Sequence, residues 1–174
     1  YTSSLLLREG TLFLGHTLLR IRSNLDESIQ PIISYDKRFS ITYNGEIYNS
    51  EYLNKKYLGL RSNSNTDTRV LIELISKYGI EFTLKQVDGM FAFCLYDHAS
   101  DLLTVCRDHV GIKPLYKYHS ESTNTICFSS EIKPIWSYFN EEIKINKKGI
   151  SEFLKYKYIA GEDTFWEDIR LVSA

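Results

Sequence analysis

No apolar run among the 174 residues approaches the roughly 18 that a membrane-spanning helix requires, so a helical membrane protein is excluded. An excess of one charge is missing too. Lys and Arg number 21 against 22 Asp and Glu, a formal net charge of −1, and the only basic doublets are Lys55-Lys56 and Lys147-Lys148. A nucleic-acid groove needs a concentrated positive face, and this distribution argues against one. Cysteine is sparse: Cys94, Cys106 and Cys127 lie far apart, with no C-x-x-C and no Cys/His cluster of zinc-ligand spacing. No metal site is expected. Each cysteine sits in a strand-like apolar or aromatic context, which reads as a buried reduced thiol in a reducing compartment. Internal repeats and low-complexity linkers are absent as well.

The composition that remains, 43% hydrophobic and 25% charged, is that of one ordinary globular domain with a real core. Leu5–Ile33 reads mostly as strand, with Leu12 and Leu14 on one face, and Leu19 and Ile21 resuming the alternation before a polar loop at 23–28. Phe39–Tyr43 forms a strand leading into Asn44-Gly45, and a short helix is placed over Glu51–Tyr57. The clearest helix is Asp67–Tyr78, where Val70, Leu71, Leu74, Ile75 and Tyr78 make an i, i+3/i+4 stripe closed by Gly79. Phe91–Tyr96 pairs with Leu102–Cys106, Leu115–Tyr118 and Ile126–Phe128 continue that sheet, and helices follow near Ile132–Phe139 and Gly149–Tyr158. This pattern is α+β rather than alternating βαβ. The 13 tyrosines, Tyr43 and Tyr48 among them, are assigned to core and rim packing rather than to a carbohydrate surface.

Chemistry concentrates in Ile41-Thr-Tyr-Asn-Gly-Glu-Ile-Tyr-Asn49 and Ser64-Asn-Thr-Asp-Thr68. The Asn44 amide and the Gly45 backbone N–H can both donate to a reacting carbonyl oxygen, each such donor being worth about 3–4 kcal/mol in an oxyanion hole. Asn-Gly between alternating hydrophobics is equally the strongest short hairpin signal, and on these residues alone the hairpin has the edge. Asp67 is either a recognition carboxylate or the N-cap of its helix. Arg107-Asp-His109 looks catalytic in a row, but neighbouring strand side chains point to opposite faces and cannot all converge. Asp88 and Glu131 read as turn or helix-start residues, and His16 as a packed core histidine. His98 and His119 fall in loops with no partner in view.

The series Tyr43–Asn49, Asn65–Thr68, Asp88-Gly-Met-Phe-Ala-Phe93, Arg107-Asp-His-Val-Gly-Ile-Lys-Pro-Leu-Tyr116 and Ser129-Ser-Glu-Ile-Lys-Pro134 resembles the glutaminase domain of asparagine synthetase, a class II glutamine amidotransferase. Leu14-Gly-His-Thr17 and Gly161–Ile169 fit more loosely. The resemblance covers nearly the whole chain, in order. It implies a four-layer αββα sandwich of N-terminal-nucleophile hydrolase type over residues 1–174. It also implies Asn44 and Gly45 as oxyanion donors, and Asp67, with Glu46 assisting, as the receiver of the glutamine α-ammonium. The Arg107 segment then belongs to the scaffold. L-Glutamine is the implied substrate, no cofactor belongs to this domain, and ATP and magnesium belong to a following synthetase domain of the same chain. The resemblance leaves room for a homodimer and implies a cytoplasmic setting.

Two departures matter. The family nucleophile is an N-terminal cysteine whose own α-amino group is the base. This chain starts at Tyr1, and no internal cysteine has that amine, so a fragment lacking its native N-terminus and its synthetase half is expected. The family arginine that clamps the substrate carboxylate falls at Leu18, and Arg20, two residues along the same strand, is the candidate replacement, ahead of Arg22. The competing reading is a glutaminase-like binding or regulatory module whose catalytic site has decayed.

Overall fold

The computed structural model describes residues 4–9, 12–17, 29–60, 66–139 and 144–174, with the side chains of 4–9 left out. The chain divides into two compact units, Tyr1–Val105 and Cys106–Ala174. Leu18, Arg20, Arg22, Leu19, Ile21 and the loop at 23–28 lie outside the described residues, as does Asn65.

In the first unit β1 (Ser4–Glu9) and β2 (Leu12–Thr17) form an antiparallel pair. Leu12, Leu14 and His16 take the more buried face of β2 while Phe13 is exposed, the period-2 pattern of a half-covered strand. Burial lowers the pKa of His16, which keeps the imidazole neutral-favouring, in line with a packed rather than a catalytic histidine. A second sheet has the order β3 (Ile32–Ile33), β4 (Phe39–Ile47), β5 (Gly89–Asp97) and β6 (Leu102–Arg107), with β3–β4 and β4–β5 antiparallel.

Strand β4 does not stop at Tyr43. It runs through Asn44-Gly45 to Ile47, in register with β5 as Asn44↔Ala92, Gly45↔Phe91 and Ile47↔Gly89. The hairpin expectation is therefore corrected: Asn-Gly here is strand, and Gly45 is not among the glycines of positive φ. What demands glycine is close approach. A Cβ on Gly45 would lie 2.3 Å from the Met90 carbonyl oxygen, and one on Gly89 would lie 2.3 Å from that of Glu46.

After β4 comes α1 (Ser50–Leu53), which continues as a π-helical turn over Asn54–Leu58 and ends at Gly59 with φ 67°. Helix α2 (Asp67–Tyr78) follows its apolar stripe: Val70, Leu71, Ile72, Leu74 and Ile75 are fully buried and the helix packs on β3 and β4. Its cap is Thr66, whose hydroxyl accepts from the Arg69 N–H at 3.2 Å. Asp67 is thus the first helical residue and not the N-cap, a correction to that alternative. Gly79 closes α2 as expected and leads into α3 (Ile80–Gln86), a helix the hydrophobic pattern did not announce because only Thr83 within it is buried.

The second unit holds β7 (Tyr116–Ser120), β8 (Thr125–Ser129) and β9 (Ile169–Leu171) in the order β8-β7-β9, with α4 (Ile132–Phe139) and α5 (Lys147–Tyr156). These strands form a sheet of their own; they do not extend the β3–β6 sheet, as the sequence suggested. One face of it buries Tyr118 and Ile169 against Ile135 of α4, with Cys127, Phe139 and Trp166 packed around them. The content is α+β throughout. No helix among the described residues is long and apolar enough to cross a membrane.

Candidate active site

The N–H and C=O of one strand residue point to the same edge, and successive residues alternate edges. Tyr43 faces away from β5: its N–H donates to Gln30 Oε1 at 2.6 Å and its carbonyl accepts from Gln30 Nε2 at 3.0 Å. Gln30 lies in line with Tyr43 by the Ile32↔Ile41 register, but its side-chain amide, not its backbone, makes the pair. Ile47 faces the same edge, and its N–H donates to Asp67 Oδ2 at 3.1 Å. Gly45 stands between them. Its N–H therefore points off the same edge, and no described residue accepts from it. Among the described residues the strand edge is therefore occupied at 43 and 47 and has no acceptor at 45.

Asp67 reaches this edge because α2 packs on β4 with its first turn beside Ile47. Its Oδ2 also accepts from the Tyr43 hydroxyl at 2.9 Å, and its Oδ1 from the Thr68 N–H at 2.8 Å. Tyr43 is buried, and burial first, then the Asp67 charge and its hydrogen bond, pushes the phenol well above its ordinary range, so it stays protonated as a donor. By strand alternation Asn44 and Glu46 share the face opposite Tyr43 and Ile47. Asn44 is half-buried and Glu46 exposed, and neither side chain is engaged in a hydrogen bond or ion pair among the described residues. The Asp67 carboxylate thus lies at the edge of β4 with Tyr43 and Ile47, while the Asn44 and Glu46 side chains stand on the strand's other face. Arg20 is outside the described residues, so its placement adds nothing to the site.

Sequence reasoning missed the supports. Gln30 carried no signal, since a lone glutamine before Pro31 matches no motif. Tyr43 carried one that was not used: it shares a face with Ile41 and Ile47, where a polar tip needs a partner. Asn49 is also structural, tying the end of β4 to the start of β5 through the Gln86 carbonyl at 2.8 Å and the Asp88 N–H at 3.0 Å. Tyr48 is exposed on the rim.

The scaffold reading of Arg107–His109 agrees with the contacts. Arg107 donates to the carbonyls of Gly111, Lys113 and Val172 at 2.6, 2.8 and 2.6 Å. Asp108, fully buried, accepts from the N–H groups of Val110, Ile112 and Lys113 at 3.2, 3.0 and 3.1 Å. His109 is exposed. Glu131 donates its N–H to Ser129 Oγ at a turn, as expected. Two histidine expectations are corrected: His98 is 2.7 Å from Ser40 Oγ and edges onto Tyr96, and His119 lies in strand β7 rather than a loop. The three cysteines are half-buried rather than buried and form no disulfide among the described residues, and burial, with Asp108 adding to it, pushes the Cys106 thiol up to about 11. Among the described residues no three His, Cys, Asp or Glu side chains cluster as metal ligands.

The glutamine amidotransferase domain family matches residues 3–174, and the chain belongs to that family. Within it, the chain is similar to glutamine-hydrolysing asparagine synthetases. It is 30% identical to asparagine synthetase 3 of Bacillus subtilis over 83% of this chain and 24% of that protein. It is 33% identical to asparagine synthetase 1 of Saccharomyces cerevisiae over 73% of this chain and 22% of the relative. The enzyme of Asparagus officinalis is 36% identical over 64% of this chain and 18% of its own length. The chain thus spans a quarter or less of the length of these three relatives.

Proposed function

We propose that the intact protein hydrolyses L-glutamine and passes the ammonia to a synthetase domain that follows in the same chain, with aspartate as the default acceptor. The Gly45 N–H, without an acceptor among the described residues and held between the Gln30-paired Tyr43 and the Asp67-paired Ile47, is the observation that carries this reading. In it, a cysteine ahead of Tyr1 attacks the side-chain amide carbon, its α-amino group taking the thiol proton. The carbonyl oxygen becomes an oxyanion that accepts from the Gly45 N–H and the Asn44 amide. Collapse, with the cysteine α-ammonium returning that proton to the leaving nitrogen, expels ammonia and leaves a thioester, which water hydrolyses to glutamate and the restored thiol through a second oxyanion at the same donors. Asp67 receives the α-ammonium, with Glu46 adding negative charge, and Arg20 receives the α-carboxylate in place of Leu18.

The same reading takes the chain as one domain with the four-layer αββα arrangement of N-terminal-nucleophile hydrolases, in a cytoplasmic setting that suits reduced thiols. ATP and magnesium belong to the synthetase half, and no residue of this chain is assigned to them.

Glutamate release by the intact protein is the test. Asn44→Ala is expected to lower kcat by about 10²–10³ with the fold retained. An Asn44→Ala enzyme of unchanged kcat, or an intact protein whose mature first residue is not cysteine, sinks the hydrolase reading in favour of a glutaminase-like module. Arg20→Ala with unchanged glutamine affinity removes Arg20 alone from the site.

A further inference from the structure

We propose that Tyr43 is a positioning residue for amino-acid recognition, its buried hydroxyl holding the Asp67 carboxylate in the pose that receives an α-ammonium. The inference rests on the glutamine reading above.

Tyr43 is fixed at both ends. Its main chain is clamped on the N–H and the C=O by the Gln30 amide, the residue is 4% exposed, and its hydroxyl lies 2.9 Å from Asp67 Oδ2. The donors on Asp67 among the described residues are all neutral: the Tyr43 hydroxyl and the Ile47 N–H on Oδ2, and the Thr68 N–H and hydroxyl on Oδ1. No Lys, Arg or His among the described residues pairs with this carboxylate. Neutral donors orient it without cancelling its charge, which leaves that charge for a cationic ligand. A lysine or arginine in place of Tyr43 would orient Asp67 equally well and occupy the same charge.

The neighbour of Tyr43 in the chain is Asn44, whose side chain points to the other face. One residue therefore links the strand that carries the oxyanion donors to the carboxylate that fixes the far end of the substrate. If Tyr43 loses its hydroxyl, Asp67 keeps the Ile47 and Thr68 N–H groups but loses the donor that comes from the core side. Losing one hydrogen bond to a charged group is worth about tenfold in affinity.

The experiment measures the intact protein with L-glutamine and with glutaramic acid, the same molecule without its α-amino group. Tyr43→Phe keeps the ring and removes one oxygen. The expected result is a KM for glutamine that rises about tenfold more than kcat falls, with glutaramic acid affinity changed less than about twofold. Tyr52→Phe, an exposed tyrosine bonded to Lys56, is the control and leaves both ligands as they were. Asp67→Glu is the second variant: it keeps the charge and the Tyr43 packing but shifts the carboxylate off the hydroxyl, and it loses the same discrimination.

Asp67→Asn separates the two ideas. If it erases the preference for glutamine while Tyr43→Phe and Asp67→Glu leave that preference whole, the glutamine site stands and the role of Tyr43 is overturned. Equal losses for both ligands in Tyr43→Phe overturn it too. If Asp67→Asn keeps the preference, the ammonium reading of Asp67 fails, and the inference fails with it.

Discussion

Replacing Gly45 with alanine tests the strand geometry on which the whole site depends. The added Cβ would meet the Met90 carbonyl oxygen at 2.3 Å and the Phe91 Cα at 2.7 Å, both backbone atoms that cannot rotate away. Real Cβ contacts essentially never fall below 3.0 Å, so β4 must move from β5 by at least 3.0 − 2.3 = 0.7 Å at this point. A ladder hydrogen bond of ordinary length, stretched by that amount, is beyond about 3.5 Å and effectively lost. Overpacking costs about 1–3 kcal/mol and each lost hydrogen bond about 1 kcal/mol more, so the substitution should cost about 3 kcal/mol. For a chain of this size that is roughly 6–12 °C in Tm.

Differential scanning calorimetry of wild type, Gly45→Ala, Gly45→Asn and Gly59→Asn reads the effect. Gly59 has φ 67° and nothing within 4 Å of its Cβ position, so asparagine there meets only left-handed backbone strain and should cost under about 1 kcal/mol. At Gly45 asparagine should be as damaging as alanine, because the obstacle is space and not φ. A Gly45→Asn protein as stable as Gly59→Asn would refute the reasoning and restore a turn at Asn44-Gly45.

Two further outcomes follow from ion pairs and buried carboxylates. Arg38 grips Asp97 through two hydrogen bonds of 3.2 and 2.8 Å, and the guanidinium hydrogen bond is the main cause holding the Asp97 carboxyl well below its ordinary range. A depressed carboxylate contributes stability that is complete above the unfolded pKa of about 4 and is lost as pH falls through the folded value. The stability gap between wild type and Arg38→Gln, followed by urea titration, should therefore begin to narrow below about pH 5 and keep narrowing as pH falls towards the depressed folded value; a gap independent of pH contradicts the pair. In the second unit, Asp108→Asn turns an acceptor for three backbone N–H groups into a partial donor and should cost about 2–3 kcal/mol. Hydrogen exchange should show it first at the amides of Val110, Ile112 and Lys113, and unchanged protection there would contradict the scaffold role.

Helix α2 was legible because its stripe from Val70 to Ile75 and its terminal Gly79 agree with one another at every position. The paired strands β5 and β6 were legible for the same reason, and helix α3 was not, since a helix with one buried residue leaves no period to read. The Asn-Gly pair shows the limit most clearly. Its residue types admit both a turn and a strand, and the choice was made by β5, where Gly89 stands opposite Ile47 and lets the two backbones close up.

From the sequence alone came the kinds of chemistry available: two amide-like donors at Asn44 and Gly45, carboxylates at Glu46 and Asp67, and no internal cysteine with the amine a self-activated nucleophile needs. Those are properties of residue identity and order. Only the tertiary structure decided that no described residue accepts from the Gly45 N–H while Gln30 and Asp67 cover its neighbours, and that the Tyr43 hydroxyl donates to Asp67. Which donors are spent and which stay open depends on partners 13 to 24 residues away along the chain, and no local pattern encodes them.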